Sequence, residues 1–186
     1  MIVIKLGGSL AASGKLKLCL DKIERSYQSM AVVIVPGGGV FADQVRSVQQ
    51  QWQFDDRTAH LMAILAMQQM ALVIKALKPN FTVTASTDDI RIQNNPQSAT
   101  IWSPDVTELD KAGVPSTWDI TSDSLAAWLA NTLAADELIL VKSGNIDADF
   151  DVLKLVQEQV VDVSFHEFTQ QASFKLTIVN AEEFVS

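Results

Sequence analysis

The sequence has little cysteine, histidine and basic charge. Its 186 residues include one cysteine, Cys19, and two histidines, His60 and His166. A single cysteine excludes a disulfide framework and a zinc site built on cysteines, so a metal site would need mostly carboxylate ligands. Fourteen basic residues against 22 acidic ones give a net charge of −8, and the basic residues are scattered along the chain. This charge argues against a nucleic-acid partner, because phosphates would be repelled.

Long hydrophobic runs are also missing. The first nine residues contain no basic segment followed by an apolar run, so they do not resemble a signal peptide. The longest mostly apolar stretch, residues 61–77, is interrupted by Gln68, Gln69 and Lys75. A membrane span needs about 20 predominantly apolar residues. We therefore expect a buried helix in a soluble, cytoplasmic protein with no membrane partner.

Short β-branched runs alternate with helical segments along the whole chain. Residues 2–6 and 31–35 are apolar runs that end near glycine, which is typical of strands buried on both faces. Further strands are predicted at residues 81–85, 99–102, 138–141, 160–163 and 175–179, and residues 87–98 are expected to be irregular. Helices are predicted at about residues 16–27, 39–51, 57–77, 121–133 and 151–159, with a small one near residue 166. The alternation predicts one α/β domain over residues 1–186, with a mainly parallel sheet and helices on both faces.

Two glycine-rich turns each follow a buried strand, at residues 5–9 and 36–39. In a parallel sheet both lie at the carboxyl edge, where glycine lets the backbone approach a phosphate and a helix N-terminus offers N–H groups. Either turn alone could be a simple strand-to-helix connection. A P-loop does not fit, because Gly8 and Gly14 are one residue too far apart and Leu16 replaces the Ser or Thr. A dinucleotide fingerprint does not fit either, because the third glycine is missing.

A few charged residues could carry chemistry at this edge. Lys5 lies in an apolar strand, where its ammonium is costly to bury unless an anion meets it, although it could also reach water from the strand end. Asp123 falls in the first turn of a predicted helix, so it could cap that helix or orient nearby lysines. Lys142 ends a second buried strand, and Lys154 follows on a short helix. Asp119 offers another carboxylate.

Other polar residues are less informative. His60 begins a Met-rich helix and could contact a substrate or simply pack, while His166 and Cys19 have no partner by spacing. The methionines at positions 62, 67 and 70 fit a core or a subunit interface. The acidic run of Asp147, Asp149 and Asp151 is interpreted as a solvated loop rather than a magnesium site.

Three segments together resemble the amino acid kinase superfamily. They are residues 3–9, V-I-K-L-G-G-S, residues 35–39, V-P-G-G-G, and residues 119–126, D-I-T-S-D-S-L-A. The resemblance implies a three-layer α/β/α sandwich, ATP with Mg²⁺ bound through the phosphates, and transfer of the γ-phosphoryl group to a carboxylate, carbamate or phosphate. It also implies an acceptor half, about residues 1–120, and an abbreviated nucleotide half, about residues 121–186. A homodimer or higher oligomer through residues 57–77 is a further expectation.

The resemblance also assigns roles to residues. Lys5 would bridge the donor and acceptor phosphates, Asp123 would organise the lysines, and Lys154 would be the second catalytic lysine, with Lys142 as its rival. The residues expected on the nucleotide side are Gly7, Gly8, Ser9, Lys142 and Ser143. The residues expected on the acceptor side are Gly37, Gly38, Gly39, Arg57, His60 and Asp119.

A narrower resemblance concerns the acceptor. Residues 59–67 and 115–123 are similar to the small kinases of methanofuran biosynthesis, which implies an aminomethylfuran methyl phosphate as acceptor, with its ammonium near Asp55 or Asp56. One departure is S-G-N-I-D at residues 143–147, where relatives have an Asp-Gly turn. This leaves two alternatives open: a non-catalytic protein that binds a nucleotide, metabolite or oxyanion, and a structural subunit that pairs through the Met-rich helix.

Overall fold

The fold is known from a computed structural model, which describes residues 1–93, 98–144, 146 and 151–186. The strands in these residues are β1 (Ile2–Leu6), β2 (Val32–Pro36), β3 (Thr82–Thr84), β4 (Thr100–Trp102), β5 (Glu137–Lys142) and β6 (Lys175–Asn180). The helices are α1 (Ser9–Ala12), α2 (Leu16–Ser26), α3 (Gly39–Trp52), α4 (Asp56–Leu77), α5 (Thr87–Gln93), α6 (Val106–Lys111), α7 (Ser122–Thr132), α8 (Val152–Gln157), α9 (Phe165–Thr169) and α10 (Ala181–Val185).

The six strands form one sheet in the order β3-β4-β2-β1-β5-β6, and every pairing is parallel. Helices cover both faces, so the predicted three-layer α/β/α architecture with a parallel sheet is confirmed. β1 lies between β2 and β5, with Lys5 opposite Val35 on one side and Leu140 on the other. The central strands therefore end at the same edge of the sheet.

Successive side chains along the central strands point alternately to the two faces of the sheet. Val3 of β1 and Leu140 of β5 belong to the apolar core that includes α7, whereas Ile4 belongs to the core on the opposite face. Because side chains alternate between faces, Lys5 shares the α7 face with Val3, and Lys142 shares it with Leu140. Two lysines on neighbouring strands thus reach the same side of the sheet.

The structure corrects several local predictions. Residues 160–163 were predicted as a strand but form turns, because a short apolar run around one aspartate does not distinguish a strand from a loop. Thr87–Gln93 is a helix rather than an irregular segment, and α6 and α10 were not predicted. Residues 94–97, and Asp147 and Asp149 of the acidic run, lie outside the described residues.

The long helix α4 packs inside the fold. Ile64, Met67 and Ile74 are buried, as the prediction of a core helix requires, but Leu65 and Leu72 are exposed. By length and composition alone, α4 is the one helix in the described parts of the chain that could cross a membrane. Its contacts with α3 and with β2, β3 and β4 make it a core helix with a second, exposed apolar face.

Candidate functional site

The two glycine loops meet at the carboxyl edge of the sheet, as predicted. A Cβ on Gly8 would lie 2.5 Å from the backbone N of Gly39, and a Cβ on Gly37 would lie 2.4 Å from the backbone N of Gly8. No side chain fits between backbones this close, so glycine is required at both positions. Gly37 N–H also donates to the carbonyl of Leu6 at 2.8 Å, which ties the second loop to the end of β1.

The first glycine loop is also joined to the end of β5. The Gly7 N–H donates to the carbonyl of Val141 at 2.9 Å, and the hydroxyls of Ser9 and Ser143 lie 2.8 Å apart. The sequence prediction placed Ser9 and Ser143 on the nucleotide side, and the structure brings these two residues together. The ends of β1, β2 and β5 therefore form one continuous backbone surface.

Beneath these loops, one buried carboxylate contacts two ammonium groups. Asp123, in the first turn of α7, has Oδ1 2.7 Å from Nζ of Lys5 and Oδ2 2.6 Å from Nζ of Lys142. Lys5 is 4% exposed and Asp123 is 5% exposed. The Lys142 side chain is 14% exposed. Charges as deeply buried as those of Lys5 and Asp123 persist only because each is paired.

Burial and pairing together shift the pKa values of Asp123 and Lys142. Burial raises the pKa of Asp123, but the ammonium groups of Lys5 and Lys142 outweigh that effect and hold the pKa below its usual range. Burial, together with the positive charge of Lys5, lowers the pKa of Lys142 to about 8, although Asp123 acts in the opposite direction. Lys142 thus loses its proton much more readily than an ordinary lysine.

The lysines retain hydrogen-bonding capacity. An ammonium group has three N–H donors. Lys142 uses two of them, on Asp123 and on the carbonyl of Val160 at 2.6 Å, while Lys5 meets Oδ1 of Asp123 as an ion pair whose geometry is not that of a hydrogen bond. Within the described residues, Lys142 keeps one N–H donor for a ligand and Lys5 keeps at least two.

A second carboxylate, Asp162, lies against the start of α7. It accepts hydrogen bonds from the backbone N–H groups of Thr121 and Ser124, at 2.9 and 3.0 Å, and from both of their hydroxyls. Thr121 occupies the N-cap position of this helix, but its side chain makes no capping bond. Asp162 supplies the cap from another part of the chain.

Lys154 lies apart from the Lys5–Asp123–Lys142 cluster. It is on α8, its side chain is 57% exposed, and its Nζ lies 3.8 Å from Glu158. The lysine that the structure brings to Asp123 is Lys142, the rival in the sequence prediction. The role predicted for Lys154 remains a prediction.

A cavity of about 390 Å³ lies beside the glycine loops, between α3, α4 and the segment that precedes α7. Gly8, Gly38 and Gly39 form one side, and Ile64, Met67 and Leu125 contribute apolar surface. The polar and aromatic side chains that line it are Ser9, Asp43, Arg46, His60, Trp118, Thr121 and Ser122. The cavity is therefore lined by apolar side chains on one side and by polar side chains near the two glycine loops.

Trp118 and Arg46 form a fixed wall of this cavity. The guanidinium carbon of Arg46 lies 4.0 Å from the Trp118 ring centroid, and the indole N–H donates to Oε1 of Gln49 at 2.6 Å. Gln49 in turn donates to Asp56 at the start of α4. The ring and the guanidinium are thus oriented before any ligand binds.

His60 presents a neutral imidazole to the cavity. Its Nδ1 lies 3.2 Å from the carbonyl of Thr117, which can only accept, so Nδ1 carries the proton. Burial lowers the pKa of His60, although the Thr117 carbonyl opposes that effect. The lone pair therefore sits on Nε2, and within the described residues Nε2 makes no hydrogen bond.

The remaining acceptor-side candidates have other contacts. Arg57 pairs with Asp110 at 3.2 Å, and Asp119 is exposed, with its carbonyl accepting from the Ser164 N–H. Asp55 caps α4 through Thr58.

Four residues that contribute to the site were not predicted from the sequence. Asp43, Arg46 and Trp118 line the cavity from segments that sequence spacing does not connect, and Asp162 stands in an apparent strand. The available signals were weak: Trp118 lies within the resembling segment 115–123, and Asp162 is an aspartate inside a run of valines.

Two lysines around one buried carboxylate, beside paired glycine loops at the end of a parallel sheet, define an α/β enzyme that handles phosphate groups. The chain belongs to the amino acid kinase family, whose sequence pattern matches residues 1–158. It is therefore a phosphotransferase acting on small molecules, and the family implies that it uses ATP. This confirms the resemblance found in the sequence.

One sequence relative is itself named a kinase, and two solved structures share the fold. The chain is 29% identical over 157 residues to the [5-(aminomethyl)furan-3-yl]methyl phosphate kinase of Methanocaldococcus jannaschii, covering 81% of this chain and 68% of that protein. The uridylate kinase of Archaeoglobus fulgidus has a TM-score of 0.73 at 18% identity, covering 99% of this chain and 93% of that one. The aspartate kinase of Synechocystis has a TM-score of 0.73 at 14% identity, covering 97% of this chain and 38% of that one. The two structural similarities establish the fold.

Proposed function

We propose that this protein transfers the γ-phosphoryl group of ATP to a phosphate monoester bound in the 390 Å³ cavity. The observation that carries the proposal is the contact of Asp123 with both Lys5 and Lys142, beneath the two glycine loops. Phosphoryl transfer depends on positioned positive charge, because negative charge is spread over the oxygens of the transferring group. The N–H donors that Asp123 leaves unused are the groups that would meet this charge.

Lys5 and Lys142 have distinct roles in this proposal. Lys5 sits at the end of β1, directly before Gly7 and Gly8, so its ammonium stabilises the transferring group where donor and acceptor meet. Lys142 sits at the end of β5, beside Ser143, and contacts the donor phosphates. Asp123 holds both ammonium groups in place, which reduces the reorganisation needed during the reaction.

Lys142, rather than Lys154, takes the role of the second catalytic lysine in this proposal. A catalytic ammonium must be held rigidly, and Lys142 is held by Asp123 and by the Val160 carbonyl. The Lys154 side chain is 57% exposed and lies near Glu158. A side chain with this exposure would suit a peripheral contact better than the transferring group.

The donor set fits magnesium bound through phosphates. Within the described residues, no group of three or more His, Cys, Asp or Glu side chains could hold a metal ion, and Asp123 is already shared by two lysines. Mg²⁺ bound to ATP would supply further neutralisation of phosphate charge. The chain's own contribution is to orient the phosphates through backbone N–H groups and ammonium groups.

For the acceptor we propose a small flat ring that carries a phosphate and an amine, such as an aminomethylfuran methyl phosphate. Trp118 offers an aromatic face, and Arg46 offers a cation that can pair with a phosphate. The neutral Nε2 of His60 and the carboxylate of Asp43, both at the cavity, can accept hydrogen bonds from an amine. Asp43 replaces Asp55 and Asp56 in this role, because those two side chains hold the start of α4. The name of the Methanocaldococcus jannaschii relative supports the same class.

We also propose a homodimer formed through α4. Leu65 and Leu72, seven residues apart on one face of this helix, are exposed, and a water-exposed apolar stripe of this kind is typical of an interface. Light scattering of the purified protein would show a dimer mass, and Leu72→Glu would shift it to the monomer. A monomer at all concentrations would contradict this part of the proposal.

The test is phosphoryl transfer from ATP with Mg²⁺ to a panel of acceptors. The panel contains an aminomethylfuran methyl phosphate, uridylate, isopentenyl phosphate, acetylglutamate, aspartate and carbamate. We expect the highest kcat/KM with the furan phosphate and loss of turnover in Lys5→Ala. Turnover of a carboxylate acceptor alone would reject the phosphate class, and undiminished turnover by Lys5→Ala would reject the mechanism.

A further inference from the structure

The segment of residues 160–164, between α8 and α9, makes hydrogen bonds to the site through three residues. The carbonyl of Val160 accepts from Nζ of Lys142 at 2.6 Å, and the Ser164 N–H donates to the carbonyl of Asp119 at 3.0 Å. Between these contacts, Asp162 holds the first residues of α7. The segment thus contacts β5, the loop before α7 and α7 itself.

Asp162 makes more hydrogen bonds than a simple helix cap. Its Oδ2 accepts from the backbone N–H and the hydroxyl of Thr121, at 2.9 and 2.7 Å, and from the Ser124 N–H at 3.0 Å. Its Oδ1 accepts from the Ser124 hydroxyl. The first N–H groups of a helix have no partner within the helix, and a carboxylate there also interacts favourably with the helix dipole.

Asp123 lies between the two residues that Asp162 binds. Thr121 and Ser124 flank it in the chain, and all three belong to the cap and first turn of α7. A shift of this turn would move the Asp123 carboxylate away from Lys5, from Lys142 or from both. The position of the central carboxylate therefore depends on the bonds made by Asp162.

We propose that Asp162 is a positioning residue for phosphoryl transfer: it fixes the first turn of α7 so that Asp123 holds Lys5 and Lys142 together. This inference rests on the roles proposed above for these three residues. Asp162 does not touch the reacting groups in this account. It acts through the helix that carries Asp123 and through the segment whose Val160 carbonyl binds Lys142.

The charge of Asp162 adds a second effect on Lys142. In the part of the chain that the structure describes, the charged groups that act on the Lys142 ammonium are Lys5 from β1, Asp123 from α7 and Asp162 from the segment of residues 160–164. Lys5 lowers the pKa of Lys142, whereas Asp123 and Asp162 raise it. Removing the Asp162 charge should therefore make Lys142 lose its proton at lower pH.

The test compares Asp162→Asn with the wild type in kcat, KM for ATP and the pH profile of kcat. Asn keeps the size of the side chain and one oxygen acceptor but removes the charge. We expect kcat to fall by about 100-fold, the cost of a small misplacement of reacting groups, with a smaller change in KM. Because the protonated ammonium is the active form, the alkaline limb of the profile should move to lower pH.

Ser124→Ala is the matched control, because it removes one hydrogen bond to Asp162 and keeps the charge. We expect a modest loss of kcat with the alkaline limb unchanged. If Asp162 had only a structural role, Asp162→Asn would have a lower Tm but the kcat and the alkaline limb of the wild type. That result would overturn the inference.

The double variant Thr121→Ala with Ser124→Ala replaces this test if Asp162→Asn does not fold. A wild-type kcat in the double variant would overturn the inference, and a reduced kcat would support it.

Two further measurements separate this inference from the proposed function. Loss of activity in Lys5→Ala with normal kcat in Asp162→Asn would reject only the role of Asp162. Normal activity in Lys5→Ala would reject the proposed function. An NMR titration of the Lys142 side chain needs no substrate, and its midpoint should be lower in Asp162→Asn than in the wild type; equal midpoints would reject the electrostatic part.

Discussion

Nζ of Lys142 lies 2.6 Å from Oδ2 of Asp123, and the other oxygen of the same carboxylate lies 2.7 Å from Nζ of Lys5. One buried negative charge therefore serves two buried positive charges, and the cluster keeps a net positive charge of one. That charge lies beneath two loops whose backbones touch at Gly8, Gly37 and Gly39. A positive, rigid and water-poor position of this kind suits the stabilisation of a transferring phosphoryl group.

Asp123→Asn should damage both stability and catalysis. Removing the carboxylate charge leaves two buried ammonium groups without their counter-charge, and breaking a buried pair costs about 3–5 kcal/mol. Chemical denaturation should show a loss of this size, and kcat should fall with it. Asp89→Asn is the matched control, because Asp89 is an exposed carboxylate in the first turn of another helix, α5. Equal stability and kcat in the two variants would contradict the account.

The pH dependence of catalysis should follow Lys142. Its folded-state pKa is lowered to about 8, so the charged form is lost as pH rises through this value. We expect kcat/KM to fall above about pH 8. The same shift has the opposite effect on stability: between this pKa and the ordinary value of 10.5 the unfolded chain binds more protons, so the Lys142 contribution to stability rises with pH.

A matched variant identifies the group responsible. Lys142→Arg keeps the positive charge to much higher pH, so its residual kcat/KM should lack the decline near pH 8. An unchanged alkaline limb in Lys142→Arg would assign the titration to another group.

The close contact between the glycine loops predicts that even a methyl side chain is too large at position 37. Gly37→Ala places a methyl group against the backbone of Gly8, and crowding of this kind typically costs about 1–3 kcal/mol. We expect a lower Tm and a large loss of kcat. Gly144→Ala is the control for stability, because no described atom lies within 4 Å of the added methyl. A Gly37→Ala protein as stable and active as the wild type would show that the loops separate freely.

Substitution of a residue that lines the acceptor cavity should change KM for the acceptor and leave KM for ATP unchanged. Arg46→Ala should raise KM for the acceptor by about tenfold, the loss of one charge-assisted hydrogen bond, and leave KM for ATP unchanged. Arg57→Ala should have the smaller effect, because the Arg57 side chain is 66% exposed and pairs with Asp110. Steady-state kinetics with each substrate varied separately would decide. A larger effect of Arg57→Ala would favour the assignment made from the sequence.

The fold and half of the central cluster were accessible from the sequence. Buried β-branched runs that end in glycine predicted the parallel sheet and the meeting of the two loops. The position of Lys5 in an apolar strand left two alternatives, an anion that meets it or access to water from the strand end, and in the structure Asp123 is the anion that meets it. That Lys5 and Lys142 share one face was not predicted, because it depends on the pairing of β1 with β5, which places Val3 and Leu140 in the same core.

The remaining features depend on packing between distant segments. Asp162 lies 38 residues from Ser124 along the chain, so no local pattern reveals that it caps α7. The hydrogen bond between Lys142 and Asp123 requires the register of β5 and the position of α7 at once. Arg46 and Trp118 meet only because α3 packs on α4 and the segment before α7 folds over both.

The most direct measurement of the central claim is kcat for phosphoryl transfer by Lys142→Ala and Lys154→Ala, side by side. Removing a preorganised group that stabilises the transition state typically costs about 100- to 1,000-fold in kcat. The account predicts a loss of that size in Lys142→Ala and a change of less than about threefold in Lys154→Ala, the scale of an exposed ion pair. A large loss in Lys154→Ala with near-normal turnover in Lys142→Ala would contradict it.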